Sequence, residues 1–120
     1  RQKVLDQPAL CTAEQLLGWQ ADVRAVKVAS AIADYVLRLV RRSREDASFE
    51  MGLSPRGGLA LMAASRAWAL LQGRDFVTPE DVQAVFAAVC QHRLRFRSTE
   101  DRAGLLHSIN DFLNQVDVVA

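Results

Sequence analysis

The segment from Ser54 to Gly73 constrains this chain more than any other. Between Pro55 and Gln72 stand Leu59, Leu61, Met62, Trp68, Leu70 and Leu71, interleaved with alanines, so a helix here is apolar nearly all round. Such a helix needs neighbours on several sides and belongs at the centre of a bundle. Its ends are marked as well. Ser54 can cap it, Pro55 suits the first helical position, where a missing N–H costs nothing, and Gly73 stops it. The same start places Arg56 in the first turn, where the helix dipole favours an anion. A cation is locally unfavourable there, so its compensation is expected from outside the helix. A phosphate carried by another domain would supply it.

The flanking segments provide the neighbours. Thr12-Ala13-Glu14-Gln15 is a capping box and opens a helix through about Gln20. Val23–Val28 lacks a helical face and is rich in β-branched residues, which predicts a short extended connector. Ser30 is expected to cap a second helix, in which Ile32, Tyr35, Val36, Leu39 and Val40 recur at helical spacing. Its other side carries Arg38, Arg41, Arg42 and Arg44, and it fades into Ser43–Glu50. Thr78-Pro79-Glu80-Asp81 opens a further helix with a capping threonine, a first-turn proline and acids against the dipole. Val77 and Val82 are spaced as a hydrophobic staple, and Val82, Val85, Phe86 and Val89 form the buried stripe.

Arg93-Leu94-Arg95-Phe96-Arg97 alternates like a strand and could pair with residues 23–28. Ser98–Gly104 reads as a polar loop. A last helix, roughly Leu105 to Gln115, places Leu105, Ile109, Phe112, Leu113 and Val116 on one face. Trp19 and Trp68 are expected in the core. The fold class that follows is all-α: a small bundle of about five helices, with two short β-strands near 23–28 and 93–97.

Composition narrows the function classes. With 120 residues, half of them hydrophobic, the chain can bury one core. A formal net charge of +1 creates no general attraction to nucleic acid or a membrane surface. No apolar run approaches the roughly 20 residues needed to cross a bilayer. Cys11 and Cys90 match no metal-ligand spacing and fit two packed thiols in a reducing cytoplasm better than a disulfide. A chain starting at Arg1, without an initiator methionine or a leader, reads as a piece of a longer cytoplasmic protein.

A complete active site is not expected within these residues. No Gly-x-x-x-x-Gly-Lys-Ser/Thr loop is present to cradle a nucleotide's phosphates. His92 and His107 have no Cys or His at ligand spacing, so no metal site is assigned. No serine elbow or Cys–His signature appears. Glu45-Asp46, Glu80-Asp81 and Glu100-Asp101 fall at loops or helix starts, where capping and solvation explain them. The Arg38–Arg44 face, with Arg93, Arg95 and Arg97, admits an alternative reading as a nucleic-acid-binding or adaptor module. The near-neutral charge and the lack of interleaved aromatics for base stacking weigh against it. Arg56 has a plain structural alternative too: pairing with Glu50 or Asp75.

Several blocks together resemble the helical lid of a MoxR-type AAA+ ATPase. They are Ala33-Asp34-Tyr35-Val36 with Leu39-Val40-Arg41, then Gly52-x-Ser54-Pro55-Arg56, then Arg66-Ala67-Trp68-Ala69-Leu70-Leu71-x-Gly73-Arg74-Asp75. Val77-Thr78-Pro79-Glu80-Asp81-Val82 and His92-Arg93-Leu94 follow in order. A magnesium-chelatase-like ATPase lid would share the fold. The resemblance implies a lid over residues 12–120, with 1–11 as the linker from an AAA+ core that this chain lacks. It implies that Arg56 is the sensor 2 arginine, reaching the γ-phosphate of ATP, with ATP and Mg2+ bound mainly by that core. The parent would then be an ATPase, and this chain alone inactive. The implied partners are the parent's own core, neighbouring subunits of a six-membered ring, and von Willebrand factor A-domain proteins as clients for remodelling or maturation. Leu53 departs from the small residue common at its position in the family.

Overall fold

Five helices and a two-stranded ribbon make up the described part of the chain, residues 12–47, 49–91, 93–96 and 102–119 of a computed structural model. In chain order they are α1 (Ala13–Ala25), α2 (Ser30–Glu45), β1 (Phe49–Met51), α3 (Pro55–Leu71), α4 (Pro79–Cys90), β2 (Arg95–Phe96) and α5 (Arg102–Gln115). The expected linker 1–11, Cys11, His92, Arg97 and residues 98–101 lie outside the described residues.

Helix α1 begins as its capping box predicts. The Thr12 hydroxyl accepts from the Gln15 N–H at 3.1 Å, and the Gln15 side chain accepts from the Thr12 N–H at 2.9 Å. It continues to Ala25, however, beyond the predicted end at Gln20. Propagating a helix adds one hydrogen bond per residue, and a single valine opposes it by only about 0.5 kcal/mol. The chain turns extended at Val26, and Lys27 alone bridges to Phe76: its N–H donates to the Asp75 carbonyl, and the Val77 N–H donates to its own. Residues 23–28 are therefore not the partner of β2.

The partner of β2 is β1, in a stretch read from sequence as a fading helix. The pairing is antiparallel, with Phe49 opposite Phe96, Met51 opposite Arg95, and an irregularity between them. Burial decides the matter: Phe49 is nearly fully buried and meets Phe112 of α5 edge-on, with centroids 5.1 Å apart. Phe112 also stacks with Phe86 of α4 at 5.8 Å, so one aromatic cluster joins β1, α4 and α5. Helix α5 starts at Arg102, earlier than predicted. Ser30 does not cap α2. It is the first helical residue, after an extended Ala29 that makes no side-chain cap bond. Exposed N-terminal amides can be left to water, and the buried stripe Ile32, Tyr35, Val36, Leu39 and Val40 holds the helix.

Helix α3 packs against α1, α2 and α4, as a central helix should. Ser54 caps its start, accepting from the Gly57 N–H at 3.1 Å. At its end Gly73 adopts φ +79°, the Arg74 N–H bonds the Ala69 carbonyl, and the Gly73 N–H bonds that of Leu70. That is a Schellman ending, which glycine enters without strain. The helix is less enclosed than its composition implies, because Leu59 and Leu71 are 73% and 78% exposed.

Arg74 then locks the turn into α4. Its guanidinium grips both oxygens of buried Asp81 at 2.5 and 2.6 Å, while Asp81 also accepts from the Thr78 N–H at 2.7 Å as half of the α4 capping box. The Arg74 hydrogen bonds hold the Asp81 carboxyl below the usual carboxylate range, against the opposing effect of burial. A depressed folded-state pKa stabilises above the unfolded value and is lost as pH falls through the folded one. Thermal melts should therefore show stability falling below about pH 4, with Asp81→Asn flattening that dependence. Equal acid slopes in the two proteins would remove Asp81 from the account. Cys90 is buried in the core and its thiol is pushed up to about 12 by desolvation, so it stays protonated and unreactive.

Candidate functional site

The site is assembled where the end of α2 meets the start of α3. Gly52 lies flush on the α2 backbone: a β-carbon there would sit 2.5 Å from the carbonyl carbon and oxygen of Ser43 and 2.6 Å from the Arg44 nitrogen. Only a residue without that carbon permits the approach. The next peptide is held at both ends. The buried Ser43 hydroxyl accepts from the Leu53 N–H at 2.8 Å while donating to the Val40 carbonyl, and Arg44 Nε donates to the Leu53 carbonyl at 2.9 Å. The Leu53 side chain is fully buried, so the leucine at this position anchors the loop in the core.

Ser54, Pro55 and Arg56 follow from that anchor as cap, first and second helical residues. Arg56 is exposed, and among the described residues its side chain makes no hydrogen bond or ion pair. The alternative pairing with Glu50 or Asp75 is not formed. A second arginine approaches the same turn: Cδ of exposed Arg93 lies 3.6 Å from the place a Gly57 β-carbon would occupy. Two guanidinium-bearing residues and a helix N-terminus together suit an anion, and polyphosphate oxygens are well matched to guanidinium donors. No group of three His, Cys, Asp or Glu among the described residues could hold a metal ion.

Beside this turn an open groove of about 520 Å3 runs between α2 and α3. Val36, Leu37, Val40, Pro55, Leu59 and Met62 line it, with Arg41 and Arg44 toward its Pro55 end. Leu37 and Leu59 expose apolar side chains there.

The other sequence candidates do not gather into a second site. Arg38 turns onto the C-terminal segment, donating to the Asp117 and Val118 carbonyls at 3.2 and 2.6 Å and lying 5.9 Å from the Tyr35 ring centroid. With Arg44 engaged as well, two of the four arginines on the basic face hold backbone carbonyls, and Arg41 and Arg42 are exposed. His107 pairs with Asp111 one turn later. Trp19 and Trp68 are not core residues, at 52% and 38% exposure. Trp19 sits on α1, which buries none of its residues, so its indole has no interior to enter. No helix among the described residues is long and apolar enough to cross a membrane.

The sequence places Arg44 and Arg93 on candidate basic faces and gives Ser43 no role, and it does not bring any of the three to this turn. Their contacts join residues that no helical or strand period relates, so a single sequence carries no signal for them.

Comparison with known proteins bears on the family and the fold. The AAA lid domain family matches residues 41–114. The uncharacterized protein YeaC of Bacillus subtilis is 37% identical over 68% of this chain and 25% of its own length. Chaperone MoxR1 of Mycobacterium tuberculosis is 41% identical over 53% of this chain and 19% of its own. Protein MoxR of Methylorubrum extorquens is 51% identical over a shorter stretch, 36% of this chain. The chain thus spans about a quarter or less of these relatives. A solved structure of a Cytophaga hutchinsonii protein assigned as an ATPase superposes with a TM-score of 0.69, covering 81% of this chain and 33% of that one at 24% identity. That likeness bears on the fold alone.

Proposed function

The chain belongs to the AAA lid domain family, of the MoxR type, and we propose that it is the C-terminal lid of an ATPase in which Arg56 serves as sensor 2. The observation that carries this reading is the state of Arg56. It is exposed, unpaired among the described residues, and held at the dipole-positive end of a helix whose start is locked to the core. An arginine that its own domain leaves uncompensated is suited to a phosphate brought by another. Arg93 adds positive charge at the same turn.

In this reading residues 12–120 form the lid and 1–11 the linker from the AAA+ core. The core would bind ATP and Mg2+, with Arg56 adding a cationic donor to the phosphates. The exposed leucines of the α2–α3 groove give that core an apolar surface to pack on. A guanidinium bonded to the γ-phosphate loses its partner on hydrolysis, so the lid's orientation follows the nucleotide state. In a cytoplasmic ring of six subunits that motion would drive remodelling or maturation of clients, including von Willebrand factor A-domain proteins. The relative called a chaperone supports this direction.

ATP turnover provides the test. The full-length protein is expected to hydrolyse ATP and the 120-residue chain alone to show none. A full-length protein without hydrolysis would overturn the reading, and turnover by the lid alone would mean that a complete site lies within it.

A further inference from the structure

We propose that Arg44, together with Ser43, is a positioning residue for Arg56, a role that rests on the sensor reading above. Consecutive residues of the last turn of α2 hold the two polar groups of one residue, Leu53: the N–H through the Ser43 hydroxyl and the carbonyl through Arg44 Nε. Leu53 lies three residues before Arg56, and the cap and first helical residue between them leave little freedom, because Ser54 is bonded to Gly57 and Pro55 has a fixed φ. Gly52 closes the other side by lying on the Ser43 and Arg44 backbone. The direction in which the first turn of α3 presents Arg56 is therefore copied from the end of α2.

The two holders differ in a useful way. Ser43 is wholly buried and bonds the Val40 carbonyl as well, so its removal disturbs the core. Arg44 is exposed, and its removal leaves no cavity. Its Nε–H is a charge-assisted donor at the inner edge of a planar group, a geometry that fixes the Leu53 carbonyl in direction as well as distance. Catalysis is sensitive to such small displacements: a misplacement of about 1 Å can cost about 100-fold in rate. Loss of one of several restraints should shift Arg56 by less than that.

The experiment is a double-mutant cycle on ATP turnover by the full-length protein, using Arg44→Met, Arg56→Ala and both together. Arg44→Met is expected to lower turnover about threefold to tenfold, with the same division between kcat and KM as Arg56→Ala. Its melting temperature should fall by only a few degrees, because one hydrogen bond is lost and no cavity is made. In the Arg56→Ala background the Arg44 substitution should have no further effect. An equal effect of Arg44→Met in both backgrounds would overturn the positioning role, since Arg44 would then act by itself. A silent Arg44→Met beside a crippled Arg56→Ala would overturn it too, while leaving the sensor reading standing. A silent Arg56→Ala would remove the sensor reading and this inference with it.

Discussion

Gly52→Ala is expected to lower the midpoint of thermal unfolding by about 10 °C. The added β-carbon would lie 2.5 Å from two backbone atoms of Ser43 and 2.6 Å from the Arg44 nitrogen, and backbone cannot swing aside as a side chain can. Either the loop lifts from α2 or the last turn of α2 unwinds. Lifting breaks the Leu53 hydrogen bonds to Ser43 and Arg44 and strains the seat of a fully buried leucine. Overpacking and lost bonds together cost about 2–4 kcal/mol. Gly18→Ala is the matched control. Gly18 lies within α1 with nothing within 4 Å of its would-be β-carbon, so alanine there should raise stability by up to about 1 kcal/mol. Equal melts for the two variants would show that the close approach of Gly52 to α2 is unimportant.

The contrast between these glycines also separates what is legible in the sequence from what is not. Start and stop signals act within a turn, so Thr12, Ser54, Gly73 and Thr78 appear in the folded protein where their local chemistry puts them. Periodicity likewise identifies the buried stripe of α2 and most of that of α4, where Val89 is only half-buried. Decisions made by distant partners were not legible. Val23 was read by propensity and was carried into α1 by helix propagation. Phe49 carries no strand signal of its own, because its aromatic partner Phe112 is far along the chain and burial between them makes β1. The site divides along the same line. Arg56 was visible as a charge in conflict with its own helix, which is a local argument. The grip of Ser43 and Arg44 on Leu53 joins two elements across a reversal of the chain, and nothing in the pattern of either element announces it. Trp19 and Trp68 failed for a related reason. Burial of a tryptophan depends on which helix covers it, and the described residues leave these two partly open. Under the proposed reading, an AAA+ core packed on the lid would cover both the exposed indoles and the leucines of the α2–α3 groove.

Arg56→Ala in the full-length protein is expected to reduce ATP turnover about 10- to 100-fold while leaving stability unchanged or slightly higher. On the proposed sensor reading, the rate effect is that of removing a charged hydrogen bond to phosphate, about 1.5–3 kcal/mol. The stability effect follows from the helix. Arg56 has no partner among the described residues, so nothing there is lost with it. Removing a cation from the first turn relieves an unfavourable interaction with the dipole of about 0.3–1 kcal/mol. These opposite signs separate the role from any general effect on folding, because a destabilised lid would lose turnover and melting temperature together. Arg56→Lys should fall between the wild type and alanine, keeping the charge and losing the planar fork that engages two phosphate oxygens at once. Nucleotide affinity gives a further discrimination. A contact to the γ-phosphate weakens binding of a non-hydrolysable ATP analogue and leaves ADP affinity nearly unchanged, whereas a general disturbance of the lid would weaken both. Turnover and affinity both at wild-type levels in Arg56→Ala would return this arginine to the status of an ordinary surface charge, and the misfit with its own helix would then need another explanation.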